Sequence, residues 1–141
     1  MKNWIFLTGL ALLLFAGCKE DDDLFQQIKL GEEVTLQLDQ TVEVTPDGIR
    51  MTFIGIPEDS RCPTGVECIW EGRALVKFSF RKGNEYMEDV MATPSSNSTV
   101  PAYIEVFGRK AKLLKVTPYP EGNNPIPAVD YRVRVVMVQG L

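Results

Sequence analysis

The chain has 141 residues, 45% of them hydrophobic and 24% charged, with 15 Lys and Arg against 19 Asp and Glu. Those proportions suit one globular domain, and the net charge of −4 argues against nucleic acid as a partner. There is no histidine, which removes Ser-His-Asp and Cys-His catalysis from consideration. Reading from the N-terminus, "MKNWIFLTGLALLLFAG" carries Lys2, an apolar run from Trp4 to Phe15, and small residues at Ala16 and Gly17. This is the layout of a secretory signal peptide over 1–17, too short to span a bilayer comfortably as a permanent helix. Its removal takes Lys2 and leaves fourteen cationic residues against 19 acidic ones, a mature net charge of −5.

The segment "LFAGC" (14–18) resembles a bacterial lipobox, with Phe15 where Leu is usual. The resemblance implies cleavage before Cys18, a diacylglycerol on its thiol and an acyl chain on its amine, the two hydrophobic signals that stable anchoring requires. Next comes "KEDDD" (19–23), whose like charges repel and keep the chain solvated, so 18–29 reads as a lipidated cysteine and flexible tether. The acidic run is similar to the export signal of surface lipoproteins of the Bacteroidota. That likeness implies the surface of the outer membrane, with its periplasmic face as the alternative.

From residue 30 to 141 the sequence reads as a single all-β domain. Val34, Leu36, Leu38, Val42 and Val44 fall on one face of an alternating run, and only Gln40 breaks the apolar side. "TPDG" (45–48) is a turn, after which Ile49, Met51 and Phe53 alternate with Arg50 and Thr52. The apolar phase switches at Ile54 and Ile56 around Gly55, which predicts a bulge. The spans 34–44 and 49–56 are therefore expected to form a hairpin. Ala74, Val76, Phe78 and Phe80 mark another strand, with Gly83-Asn84 turning into 85–92. "TPSSNSTVP" (93–101) is a loop containing a glycosylation sequon at Asn97. Strands 102–107 and 110–117 flank an expected Gly108-Arg109 turn, and the proline-rich 118–127 is a connection. In the last strand Tyr131, Val133, Val135 and Met137 point inward. Seven to eight short strands with no helical period predict an antiparallel β-sandwich, a small open barrel being the alternative.

With Cys18 assigned to lipid, Cys62 and Cys68 remain in "EDSRCPTGVECIWEG" (58–72). A zinc site would need two carboxylates beside the two thiolates, an unusual set, and five intervening residues are not the C-x-x-C of oxidoreductases. Exported cysteine pairs usually oxidise, and Pro63 and Gly65 suit a small ring, so a disulfide is the expectation. The segment also resembles the D-S-R-C-P-x-x-V-x-C-x-W-x-G stretch of a small β-domain found in many exported bacterial proteins. The match rests on Asp59, Ser60, Arg61, Cys62, Pro63, Val66, Cys68, Trp70 and Gly72. It implies a β fold and an oxidised pair, and carries no activity with it.

Asp59 and Ser60 suit capping of turn N–H groups, and Arg61 suits pairing with a carboxylate. Trp70 is expected to pack over the disulfide or the sheet edge, the competing reading being an exposed ring that stacks on a sugar or anchors a partner. Two carboxylates can hydrolyse glycosides, and Glu58, Asp59, Glu67 and Glu71 surround the loop; the same oxygens can hold calcium weakly. Solvated surface is the commoner fate of such acids. The reading that results is a non-enzymatic, cofactor-free lipoprotein of the outer membrane that binds a protein or glycan through loops 57–72 and 118–127. Arg61, Trp70, Glu71, Arg73 and Tyr119 are the candidate contacts. The alternative is an accessory lipoprotein of a larger envelope complex with no ligand of its own.

Overall fold

Nine strands carry the alternation, one or two more than expected. The computed structural model describes residues 25–95 and 98–140. The signal peptide, Cys18, the acidic run and Asn97 of the sequon lie outside the described residues. In chain order the elements are β1 (Gln26–Lys29), β2 (Glu33–Gln37), β3 (Thr41–Thr45), β4 (Ile49–Asp59), β5 (Ala74–Lys82), β6 (Glu85–Ala92), β7 (Tyr103–Val106), β8 (Arg109–Thr117) and β9 (Arg132–Gln139). One turn of 3-10 helix, Ala128–Asp130, precedes β9. The strands form two sheets, β1-β3-β4-β5-β6 and β2-β9-β8-β7, packed as a sandwich and not closed into a barrel. All pairings are antiparallel except β1 with β3, which is parallel.

The run 34–44 corrects one expectation and satisfies another. Its inward residues are as read: Val34, Leu36, Val42 and Val44 are buried, and Leu38 packs against the core. Yet it is two strands in two sheets, β2 pairing with β9 and β3 with β4, so the hairpin holds only for 41–59. Asp39 takes a left-handed φ of 61° at the crossing, a conformation that Asp tolerates better than most residues. The amide of Asp39 donates to Phe53 O at 2.8 Å, tying the crossing to β4. Because both sheets face one core, alternation is indifferent to which sheet carries each half. Gln40, where the alternation fails, marks the switch.

Three smaller differences have similar causes. Residues 26–29, assigned to the tether, form β1, whose Ile28 is buried in the core. The β7–β8 turn sits at Phe107-Gly108, one residue earlier than expected, with Val106 opposite Arg109. A two-residue turn of this kind needs positive φ at both centres, supplied here by Phe107 at 48° and Gly108 at 79°. Packing of Phe107 against the core offsets its left-handed backbone. The bulge expected near Gly55 is present, with register shifts on both sides of it, and a second lies between Leu113 and Lys115. That second shift moves the inward phase of β8 from Ala111 and Leu113 to Val116, which is why its facing is obscure in the sequence.

The core draws from both sheets. Phe53, Phe78 and Phe80 are its largest fully buried side chains, with Phe53 and Phe78 directly opposite on β4 and β5, ring centroids 6.0 Å apart and tilted by 49°. Facing them from the other sheet are Leu36, Leu113, Val133, Val135 and Met137. Truncating a buried Phe in such a core costs about 3–5 kcal/mol. This rigid body holds the β4–β5 loop.

Candidate functional site

Residues 60–73 connect β4 to β5 and are fixed at three levels. At the base, the amide of Ser60 donates to Arg73 O at 2.8 Å and that of Cys62 to Glu71 O at 2.9 Å. The Ser60 hydroxyl donates to Arg73 O at 3.0 Å. Higher up, Cys62 and Cys68 form the disulfide, their Cα atoms 5.9 Å apart. Gly72 permits the close approach of the two arms. It has φ 69°, and a Cβ there would stand 1.8 Å from the Ser60 carbonyl oxygen.

The third level is a clasp on Arg61. This residue was a candidate contact, but it is only 7% exposed and its guanidinium is spent within the protein. Nε and one terminal nitrogen donate to the two oxygens of Asp59 at 2.8 and 2.6 Å. The terminal nitrogens also donate to Val116 O at 2.8 Å and Pro118 O at 2.9 Å. Asp59 in turn accepts from the Tyr131 hydroxyl at 2.9 Å. The clasp thus joins the end of β4, in one sheet, to the end of β8 and the start of β9 in the other. The Tyr119 ring lies 5.0 Å from the guanidinium carbon, and the amide of Thr64 donates to Pro120 O at 3.0 Å. The stapled loop and the proline-rich loop therefore form one continuous surface.

Electrostatics follow from the clasp. Burial pushes the Asp59 carboxyl up, but hydrogen bonds from Arg61 and Tyr131 and the charge of Arg61 outweigh it, leaving it below the usual carboxylate range. Burial and the bond to Asp59 push Tyr131 up to about 12. Asp59 stays ionised and Tyr131 stays neutral at ordinary pH, so neither moves a proton there. Among the described residues no group of three or more Cys, Asp or Glu side chains is placed to hold a metal ion.

The outer side of the loop is different. Ile69 is 93% exposed and Trp70 67%, with Val66 also exposed. Trp70, expected to pack over the disulfide or the sheet edge, instead stands mostly in solvent. Trp70 and Arg73 share an open pocket of about 300 Å³ with Glu58, Ser60, Gly72, Ser95 and Ser98. Glu71 and Tyr119 line a second depression of about 210 Å³ on the other side of Gly72, with Thr93, Pro94 and the end of β8. The structure thus divides the candidate contacts between two depressions, with Trp70 and Arg73 at the first and Arg61, Glu71 and Tyr119 at the second, where the Arg61 guanidinium is already hydrogen-bonded within the protein.

Sequence reasoning missed Ser95 and Ser98. They reach the pocket because Thr93 continues past β6 to pair with β5: its amide donates to Ala74 O at 2.9 Å, and its hydroxyl accepts from the Ala74 amide at 3.0 Å. The cluster "TPSSNST" after a strand was the available signal. Arg73 carries the other unexpected feature, an Nε that is buried without a hydrogen-bond partner among the described residues. Comparison with protein-family models, with curated proteins and with solved structures finds no match to this chain.

Proposed function

We propose that the chain is a lipoprotein held at the outer membrane by a lipid on Cys18, displayed at the cell surface, and that its β-domain binds a glycan or protein of the cell envelope without catalysing a reaction. The observation that carries this reading is the pair Ile69 and Trp70, held in solvent on a loop pinned by a disulfide, a glycine contact and the Arg61 clasp. An apolar and an aromatic side chain on a rigid backbone lose little freedom on contact, and they hide surface that water otherwise covers at a cost. The non-catalytic part of the reading is supported by the acids with displaced acidity. Asp47, Asp59 and Glu88 all lie below their ordinary range because cationic partners hold them as acceptors.

Two measurements test the reading. Cys18→Ser is expected to release the protein from the membrane fraction, and persistent membrane association contradicts the anchor. Full-chain protein in detergent should retain a component of the envelope polysaccharide or protein fractions, and the Ile69→Ser/Trp70→Ala double variant should retain it at least about tenfold less well. Equal retention by both proteins rules out this face as the binding surface.

A further inference from the structure

The buried Arg73 Nε has no hydrogen-bond partner among the described residues. A buried polar atom without a partner loses its hydration, and native proteins keep few such atoms. An arginine elsewhere at this site shows what full satisfaction looks like: Arg61 makes four side-chain hydrogen bonds, to Asp59, Val116 and Pro118. No ion pair among the described residues involves Arg73. Its backbone is nevertheless fixed, with its carbonyl accepting from both the amide and the hydroxyl of Ser60. The side chain lines the 300 Å³ pocket beside the exposed Trp70 ring.

We propose that this pocket is a subsite for a sugar acid, a hexuronate residue whose carboxylate is received by Arg73 and whose ring lies against Trp70. The assignment rests on the binding role proposed above and names its ligand class. Each wall matches one part of such a ligand. A guanidinium that lines the pocket and forms no ion pair among the described residues suits a planar carboxylate at its terminal N–H groups, the ligand that arginine binds most specifically. The indole presents an apolar face suited to the C–H face of a pyranose ring. Ser60, Ser95, Ser98 and the Glu58 carboxylate supply acceptors and donors for ring hydroxyls. A plain anion would use the arginine and leave the indole and Glu58 without a role. A neutral sugar would leave the Arg73 cation without a counter-charge.

The test titrates full-chain protein in detergent with galacturonate, an oligogalacturonate, the same oligomer after carboxyl reduction, and acetate. Binding of the oligogalacturonate with at least about tenfold preference over its reduced form supports the subsite. Arg73→Met should abolish that preference while leaving the melting temperature unchanged or raised, because it removes the orphaned donor and keeps the stem's packing. Arg73→Lys should recover part of the binding. Comparable affinity for the monomer and the oligomer identifies a free sugar acid as the ligand; a large gain for the oligomer identifies a polymer. Binding of acetate as strongly as galacturonate overturns the sugar assignment. Equal binding of the acidic and reduced oligomers, unaffected by Arg73→Met, overturns the role of Arg73 and leaves the proposed binding face standing. If no saccharide binds but Trp70 still governs retention of an envelope protein, the subsite fails and the wider reading survives.

Discussion

The two ends of the sandwich use the same chemical pair for different purposes. At one end the strands are joined by turns of two or three residues, 30–32, 46–48, 83–84 and 107–108; at the other, beside the short crossing 38–40, they are joined by three long loops, 60–73, 93–102 and 118–131. Each end has a doubly bonded Asp–Arg pair: Asp47–Arg109 joins the two sheets directly, whereas Asp59–Arg61 joins them through the bonds of Arg61 to Val116 and Pro118 and of Tyr131 to Asp59. At the short end Arg109 donates to both oxygens of Asp47 at 2.7 and 2.9 Å, with side chains 21% and 16% exposed. At the loop end Arg61 and Asp59 are 5% and 10% exposed, and both have further partners. The difference teaches that a short turn is held by its own geometry, whereas long loops need an anchor that excludes water. The buried pair is that anchor, and the exposed Ile69 and Trp70 stand on what it anchors.

The largest effect should come from removing the buried arginine. Arg61→Ala leaves Asp59 buried and charged and two carbonyls unpaired, and the expected loss is about 3–5 kcal/mol in denaturant melts. Arg109→Ala should cost distinctly less, and its effect should shrink as salt is added, since solvent reaches that pair. Equal losses at the two ends would erase the distinction between them. Next in size is the staple. Replacing Cys62 and Cys68 together by alanine should cost about 1–3 kcal/mol, and the wild-type protein under reductant should melt at the same temperature as the variant. A staple that contributes nothing would place the whole burden of loop order on the clasp.

A smaller effect separates the clasp from the staple by pH. Tyr131→Phe removes one hydrogen bond to a charged acceptor, with an expected loss of about 1.5 kcal/mol at neutral pH. An unfolded tyrosine titrates near 10, whereas burial and Asp59 push Tyr131 up to about 12 in the fold. Its contribution is therefore complete below pH 10 and declines as pH rises to about 12, so wild type and variant should converge over that interval. Asp59 has the opposite sense. Its lowered pKa stabilises the fold above the ordinary carboxylate range, and that part is lost as pH falls through its depressed value. Melting curves that stay parallel from pH 9 to 12 would remove Tyr131 from the clasp.

Much of this was legible in the sequence, and the illegible part has a common cause. Every inward position read from alternation on β2, β3, β5 and β9 is buried or packed on the core, because a half-buried strand needs period two whichever sheet it joins. Sheet membership was not legible, since Leu38–Gln40 crosses between sheets without changing the phase. β1 was missed because four residues with a single inward Ile28 leave no period to detect. The Asp59–Arg61 pair could be anticipated because its members are two residues apart. The Asp47–Arg109 pair spans 62 positions and depends on where two turns meet. The pocket brings together residues from three segments: Glu58, Ser60, Trp70 and Gly72 lie within one readable stretch with Arg73 next to it, and Ser95 and Ser98 come from outside it.

The smallest expected change in stability belongs to the residues on which the functional reading depends most. Ile69 and Trp70 are 93% and 67% exposed, and surface substitutions of this kind usually stay within about 0.5 kcal/mol. Ile69→Ser and Trp70→Ala should therefore melt with the wild type, singly and together. An apolar residue that adds nothing to the fold yet stands on a loop fixed by its base, its disulfide and the Arg61 clasp has its role outside the fold. If instead Trp70→Ala lowered stability as Arg61→Ala does, the ring would belong to the packing of the loop, and the contrast between its inner and outer sides would collapse. Unchanged melting combined with lost retention of the envelope component would place structure on Arg61 and recognition on Trp70, nine residues apart in the same loop.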